Sequence, residues 1–153
     1  GDRRMVVREG SCRFGLWHVQ VWWSGDLVHQ VRFSRSPIAG PAPGAIRRYL
    51  AGKETDLSTL RSIATEPGAP FSAIYRITRD IPYGETMTYG AIAALAGTAP
   101  RVVGMAMSRN PTPLVIPCHR VVAASGLGGF SPDIAIKEAL LALERKNRGN
   151  IIT

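Results

Sequence analysis

Cys118 and His119 stand side by side after a short apolar run, residues 114–116, and Pro117 separates that run from the cysteine. A free thiol has a pKa of about 8.5, so little of it is thiolate at neutral pH unless a base or a positive charge lies nearby. The apolar run predicts a buried strand, and adjacent strand residues point to opposite faces. His119 would therefore need a bridging water, or a turn at Pro117, to act on the thiol. The residues leave two interpretations open, a nucleophile and a buried inert cysteine.

Cys12 is the only other cysteine among the 153 residues. Two cysteines far apart in sequence make neither a disulfide framework nor a structural zinc site, so we expect two free thiols in a reducing compartment and no metal. No segment approaches the ~20 apolar residues of a membrane helix, and the start of the chain lacks a signal-peptide core. We therefore expect an intracellular, cytoplasmic protein.

The chain is basic, with 19 Lys and Arg against 11 Asp and Glu and a net charge of +8. No acidic residue occurs between Thr86 and Pro132, a window that contains three arginines, Arg101, Arg109 and Arg120. A surface that faces phosphates should lack carboxylates, so this window favours a nucleic-acid partner. A solvated basic surface is the alternative.

The positions of apolar residues and turn residues predict an α+β fold in two parts. Alternating apolar residues over 5–34 predict an antiparallel sheet, and short helices are expected over 45–51 and 57–64. The Pro/Gly-rich stretch 66–70 marks a boundary. We therefore predict a small mixed α/β domain over 1–66 and a mainly helical domain over 67–153.

The second part contains two short helices joined by a tight turn. The first helix starts after a Thr88 cap and stops at Gly97, and the second runs from Pro100 to before Asn110. This pattern resembles a helix-turn-helix, although many helical hairpins bind nothing. The second helix would turn one apolar side to the core, Val102, Val103, Ala106 and Met107. Its other side would carry small or neutral residues behind one arginine, Arg101, Gly104, Met105 and Ser108. A last helix is expected over 133–145, with its inward face formed by Ala135, Ala139, Leu140 and Leu143.

The segment from Ile116 to Val122, IPCHRVV, resembles the active-site segment of the O6-alkylguanine-DNA alkyltransferases. The flanking motifs match in order and spacing: IPYGET at 81–86 with Tyr89-Gly90, RVVG at 101–104, Asn110-Pro111, and KEALLALE at 137–144. The resemblance is continuous from about residue 71 to 144, whereas the first 65 residues match only in general character.

The resemblance implies direct repair of DNA, in which an alkyl group moves irreversibly from guanine O6 to Cys118 in a single turnover. His119 would act as the base through a water, with Glu144 orienting it, and Asn110 would hold the turn before the active-site segment. Tyr89 would assist protonation of the departing guanine. Arg101 would fill the space left by the flipped nucleotide. The family also implies double-stranded DNA bound through the minor groove, a monomer, and no cofactor.

The same resemblance assigns the remaining contacts. The DNA-facing residues would be Arg101, Gly104, Met105, Ser108, Tyr89 and Thr88. The guanine pocket would be lined by Val121, Phe130, Ser131 and Met107. The chain departs from the family pattern at 130–133, where Phe-Ser-Pro-Asp replaces a Tyr-Ser-Gly-Gly type loop. Because Pro132 fixes φ and lacks an N–H, the capacity of the guanine pocket for bulky alkyl groups is an open question.

Three other functions compete with this interpretation. A damage-binding relative without repair activity would lack the acceptor cysteine, and Cys118 is present. A DNA-binding regulator would need only the helix-turn-helix and would leave the segment 117–122 unexplained. A cysteine hydrolase would need a histidine against the thiol and would turn over many times.

Overall fold

A computed structural model describes residues 6–148 of the chain. The strands are β1 (Arg8–Phe14), β2 (Trp17–Ser24), β3 (Leu27–Ser34), β4 (Arg61–Ser62), β5 (Met87–Thr88) and β6 (Val121–Val122). The helices are α1 (Gly44–Leu50), α2 (Ser72–Arg79), α3 (Tyr89–Ala96), α4 (Pro100–Ser108) and α5 (Ile134–Arg148). Short 3-10 turns occur at Ile63–Thr65 and Cys118–Arg120. The fold is α+β, as predicted.

The N-terminal half is built on one sheet with the order β1-β2-β3-β4, in which the first three strands are antiparallel and β4 runs parallel to β3. The alternation predicted for β2 is confirmed, since Val19, Val21 and Trp23 are buried. In β3 the sequence predicts that Leu27, His29, Val31 and Phe33 share one face, and this phase is wrong at its start, where Val28 is buried in place of Leu27. A register shift at Trp22/Trp23 inserts one residue and moves the inward positions by one.

The helix expected over 45–51 is present as α1, but the helix expected over 57–64 is wrong. That stretch forms a turn, the short strand β4 and a 3-10 turn instead. Arg61 makes a two-pronged contact with Asp26 at 2.9 and 3.0 Å, and the Ser62 hydroxyl accepts a hydrogen bond from Ala64 N. The contact with Asp26 joins Arg61 to the turn before β3, and Ser62 caps the 3-10 turn that follows.

The predicted helix-turn-helix is present as α3 and α4, whose axes meet at 105°. The Thr88 hydroxyl accepts from Ala91 N at 3.1 Å, and Gly97 ends α3 with φ of 69°. Pro100 occupies the first turn of α4. Within residues 6–148 no single helix is long and apolar enough to cross a membrane, and α3 and α4 reach that length and composition only when counted together.

The strand predicted over 114–116 is absent, and a buried, tightly turned segment takes its place. Leu114 has φ of 77°, and Ile116 N donates back to Thr112 O at 2.9 Å. Pro111 and Pro113 have no N–H to donate to a ladder, which explains why the apolar run does not extend. Cys118 consequently opens a 3-10 turn and does not end a strand.

Helix α5 buries a face different from the predicted one. Ala135 and Ala139 are exposed, whereas Leu140 is buried as expected. The buried face is Ile136, Lys137, Leu140, Leu141 and Glu144. The two charged residues among them have polar partners in the active-site segment, and this pairing rotates the helix away from the face that hydropathy alone selects.

Two hydrophobic clusters form the core. One joins the sheet and α1 to residues from the second half of the chain, Leu114, Val115, Ile136 and Leu140. The other lies among α2, α3 and α4 and includes Ile116 and Val121. The chain passes from the first cluster to the second between Val115 and Ile116, just before Cys118. The boundary at 66–70 stays a prediction.

Candidate active site

Cys118 lies at the junction of the two halves, with 8% of its surface exposed. Its backbone N donates to Ile116 O at 2.7 Å, which closes the turn that begins the 3-10 segment. Burial raises the pKa of the thiol, while a hydrogen bond with Asn110 and the positive charge of Lys137 act in the opposite direction. The thiol is therefore protonated at rest and needs a proton acceptor to become a nucleophile.

His119 and Glu144 form a fully buried pair, with His119 Nε2 2.7 Å from Glu144 Oε2. Burial lowers the pKa of His119 despite the carboxylate beside it, so the imidazole is neutral. Burial by itself would raise the pKa of Glu144, but hydrogen bonds from His119 and Arg120 hold it well below its usual range. A neutral histidine thus donates from Nε2 to an ionised glutamate. Its Nδ1 is buried and meets no hydrogen-bond partner among the described residues.

Further groups fix the Glu144 carboxylate. Arg120 donates to both carboxylate oxygens at 2.8 to 3.1 Å and to Ile81 O at 2.8 Å, and Gly84 N donates to Oε1 at 2.9 Å. The Tyr49 hydroxyl, from α1, donates to Oε2. The carboxylate therefore ties the active-site segment to α5, to the turn before β5 and to the N-terminal half.

Asn110 braces the turn that precedes Cys118. Its Nδ2 donates to Ile116 O at 2.9 Å, and its Oδ1 accepts from Thr112 N at 3.0 Å. Beside it, Val31 N in β3 donates to Pro111 O at 2.8 Å, so the sheet is fastened to the same turn.

A cavity of about 570 Å³ opens beside the thiol. Eight residues predicted for the site line it together: Cys118, Asn110, Tyr89, Met107, Phe130, Ser131, Gly104 and Ser108. Val121 does not line it, because its side chain is fully buried and its carbonyl accepts from Lys137. Pro132, whose effect on the pocket the sequence raised, also lines the cavity. The sequence did not point to the other lining residues, which are Val31, Arg32, Phe33, Pro113 and Gly129.

Tyr89 lies at the wall of this cavity, against the loop that contains Gly126, Gly128 and Gly129. Burial raises the pKa of its hydroxyl, and Cys118 acts in the same direction, so the phenol keeps its proton at neutral pH. At Gly128, with φ of 75°, a Cβ would lie 2.9 Å from the Tyr89 oxygen, so only glycine fits. Phe130 meets Phe33 of β3 edge-on, with ring centroids 5.8 Å apart, which anchors the other end of the loop.

The outward face of α4 is open. Arg101 and Arg109 are exposed at its two ends, and Met105 is 40% exposed between them. A Cβ added at Gly104 would meet nothing within 4 Å, and the Ser108 hydroxyl bonds to its own helix at Met105 O. Thr88, predicted on the DNA side, caps α3.

No role at the site was predicted for Lys137 or Tyr49, and Arg120 was expected with Arg101 and Arg109 in a window that faces phosphates. For Arg120 this expectation is wrong, because its side chain is buried. Lys137 is fully buried and donates from Nζ to Val121 O at 2.6 Å, and Tyr49 and Arg120 hold Glu144. The spacing of Lys137 and Glu144 was an available signal, because residues seven apart share a helix face. No local pattern singles out Tyr49. In the part of the chain between residues 6 and 148, no three His, Cys, Asp or Glu side chains are grouped as metal ligands.

Comparison with known proteins places these residues in a family. Residues 69–146 match the family described as 6-O-methylguanine DNA methyltransferase, DNA binding domain. A methylated-DNA–protein-cysteine methyltransferase of Saccharolobus islandicus is 45% identical over 96 residues, which cover 63% of this chain and 62% of that relative's length. The O6-methylguanine methyltransferase structure of Mycobacterium tuberculosis has a TM-score of 0.77 at 30% identity, covering 93% of this chain and 94% of that one. A structure of the M. tuberculosis protein in complex with DNA gives 0.75 at 29%, covering 91% and 93%. The chain belongs to the O6-methylguanine DNA methyltransferase family.

Proposed function

We propose that this protein repairs alkylated DNA by transferring the alkyl group of an O6-alkylguanine to Cys118, once per molecule. The observation that carries the proposal is the position of the thiol. Cys118 lines a cavity of about 570 Å³ that also borders helix α4, and the next residue in the chain, His119, is paired with Glu144 in the buried interior. The family and its M. tuberculosis member bound to DNA support the same conclusion.

The transfer begins with ionisation of the thiol. Its proton passes through a water to His119 Nδ1, the ring nitrogen without a protein partner among the described residues. The imidazolium that forms is stabilised by the Glu144 carboxylate at 2.7 Å. His119 Nε2 faces this carboxylate, so the ring is oriented for the relay.

The thiolate then attacks the saturated alkyl carbon. A sulfur–carbon bond forms as the bond between carbon and guanine O6 breaks, and the electron pair leaves with the guanine. Tyr89, which keeps its proton at neutral pH, supplies a proton to the departing base and regains one from solvent. The product is a thioether that water does not hydrolyse, so the protein acts once. These steps balance without a cofactor.

Reaching the alkyl carbon requires that the nucleotide leave the stacked duplex. The small outward face of α4, with Gly104 at its centre, can lie close to the DNA in the minor groove. Arg101 occupies the exposed start of α4, and its side chain would replace the extruded base in the stack. Binding to one lesion at a time needs one copy of the chain. A chromosomal substrate implies residence with the DNA, in the nucleoid of a prokaryote or the nucleus of a eukaryote.

Intact-protein mass spectrometry after mixing with excess duplex containing one O6-methylguanine tests the proposal. We expect the mass to rise by one methyl group and no further, with the methyl on the peptide that contains Cys118. Cys118→Ser should bind the duplex and gain no mass, whereas Cys12→Ser should behave as the wild type. Tight binding without a mass change would replace repair with damage sensing, and repeated turnover would indicate a hydrolase.

A further inference from the structure

We propose that Tyr49, in the N-terminal half of the chain, is a positioning residue for the transfer that sets the tautomer of His119. The inference rests on the proposed function, because it assigns a task within that reaction. Tyr49 belongs to α1, outside the segment 69–146 that matches the DNA-binding domain of the family.

The Tyr49 hydroxyl lies against both members of the buried pair, His119 and Glu144, that takes up the thiol proton in the proposed reaction. The residue is 1% exposed, and its oxygen donates to Glu144 Oε2 while standing 3.2 Å from His119 Nε2. The Tyr49 and His119 ring centroids are 6.5 Å apart, and the edge of Tyr83 packs against Tyr49 at 6.0 Å. The hydroxyl is therefore held in place by aromatic contacts on two sides.

The direction of each hydrogen bond follows from the ionisation states. Glu144 is a carboxylate and can only accept, so the single Tyr49 proton points to it. Burial raises the pKa of Tyr49 well above its usual value, so that proton stays on the oxygen. The free lone pairs of Tyr49 then face His119 Nε2 and can only accept from it.

Two acceptors thus converge on His119 Nε2, the carboxylate at 2.7 Å and the phenol oxygen at 3.2 Å. A bare Nε2 would place its lone pair against both, so the proton of the neutral ring is fixed on Nε2. Nδ1 is then unprotonated, which is the state required to take the proton of Cys118. A phenylalanine at 49 would fill the same volume and leave the ring with one acceptor.

The test compares full-length Tyr49→Phe with Tyr83→Phe, a matched control that removes the neighbouring phenol hydroxyl. Single-turnover transfer from O6-methylguanine duplex is followed by rapid quench. We expect Tyr49→Phe to slow transfer by roughly tenfold, the effect of one hydrogen bond to a charged group, with duplex affinity unchanged. Tyr83→Phe should keep the wild-type rate. A wild-type rate in Tyr49→Phe, or equal slowing in both variants, would overturn the assignment.

A second measurement needs no substrate. Nitrogen-15 NMR of histidine-labelled protein reports which ring nitrogen carries the proton, and substitution of His18 and His29 assigns the His119 signals. We expect the wild type to show only the Nε2–H form at neutral pH. Tyr49→Phe should keep this form as the major one, because Glu144 still accepts from Nε2, but should show a detectable Nδ1–H population since the second acceptor is lost. An Nδ1–H or doubly protonated ring in the wild type would refute the inference even if Tyr49→Phe fails to fold. A wild type without transfer would contradict the proposed function, and the spectrum would still decide the role of Tyr49.

Discussion

Glu144 is a fully buried carboxylate whose ionised state depends on its neighbours. Its pKa in the folded protein lies below the ordinary value of about 4.3. As the pH falls, this carboxyl therefore takes up a proton at a higher pH in the unfolded chain than in the folded one. The stability that this group contributes is therefore present above about pH 4.3 and is lost as the pH falls toward the folded pKa. The lowered pKa of His119 acts in the same direction below about pH 6.5, because the unfolded ring binds its proton more readily.

Glu144→Gln should lower the free energy of unfolding at pH 7 by about 3–5 kcal/mol, since it leaves the Arg120 guanidinium buried without its counter-charge. The variant should also lose much of the acid dependence of stability between about pH 5 and 3. Urea unfolding over a pH series measures both effects. Glu138→Gln, exposed on the same helix, is the control and should stay within about 0.5 kcal/mol of the wild type. An unchanged acid slope in Glu144→Gln would show that the carboxylate is not held ionised.

At the scale of elements, α4 presents two exposed arginines with different expected tasks. Arg101, at the start of α4, should occupy the gap left by the flipped base, whereas Arg109 should only attract phosphates. Arg101→Ala is expected to slow transfer from duplex by on the order of 100-fold while leaving reaction with free O6-benzylguanine unchanged, because only the duplex requires extrusion. Single-turnover kinetics on both substrates measure this difference.

Arg109→Ala is the matched control for that experiment. It removes the same charge from the other end of the helix, so it should weaken duplex affinity without changing the rate constant at saturating DNA. Equal slowing of duplex and free base by Arg101→Ala would exclude a role in extrusion.

Residues 129–132 form a wall of the cavity, and Pro132 is one of the residues there that depart from the family pattern. Its ring fixes φ and supplies no N–H, which limits how the loop can move around a larger alkyl group. Pro132→Gly should raise the benzyl-to-methyl ratio of transfer rate constants, by roughly tenfold if one rigid contact is relieved. Pro37→Gly, in an exposed loop of the N-terminal half, should leave the ratio unchanged. An unchanged ratio in Pro132→Gly would mean that residues other than Pro132 limit the size of the alkyl group that is transferred.

The elements that sequence predicted well are those with local signals. Thr88 and Gly97 delimit α3 because a side-chain cap and a left-handed residue act on adjacent backbone groups. Residues 57–64 and 114–116 were predicted wrongly because their conformation depends on distant partners, such as Asp26 for Arg61. The face of α5 was missed since Lys137 and Glu144 are charged, and charge normally indicates exposure.

The candidate site also divides into residues that local motifs identify and residues that only tertiary packing brings there. Residues within the motifs, such as Cys118 and Asn110, could be assigned roles by resemblance, and the cavity contains both. Arg32 and Phe33 line the cavity only because β3 docks on the turn at Pro111, a contact with no trace in the local sequence. Tyr49 reaches Glu144 across 95 positions of the chain. Pairing over such distances follows from packing, which periodicity does not encode.

At the scale of the whole molecule, the two halves share a hydrophobic cluster and the hydrogen bonds around Glu144. The cluster under the sheet includes Leu140 of α5, and the relay includes Tyr49 of α1. A large separation of the halves would therefore break the support of Glu144. The N-terminal half is thus expected to contribute to the chemistry by holding Glu144 in place against His119, whereas the outward face of α4 is expected to contact the DNA.

The net charge of +8 and the acid-free window from Thr86 to Pro132 concern binding to DNA, and they differ in what they predict. If net charge alone determined the affinity for DNA, an added carboxylate would weaken binding equally at any exposed position. If one surface binds the DNA, only a carboxylate on that surface should weaken binding strongly. Ser108→Glu places a carboxylate on the outward face of α4, and Ser58→Glu places one on an exposed turn of the N-terminal half. Both variants lower the net charge by the same amount.

Fluorescence anisotropy with a short duplex, repeated over a range of KCl concentrations, separates the two cases. We expect Ser108→Glu to weaken binding by roughly tenfold or more at low salt, because a carboxylate near the phosphates adds repulsion. The difference from the wild type should shrink as salt screens that repulsion. Ser58→Glu should bind almost as the wild type does throughout. Equal weakening by both variants would assign the affinity to overall charge, and the outward face of α4 would then lose its special role in contacting DNA.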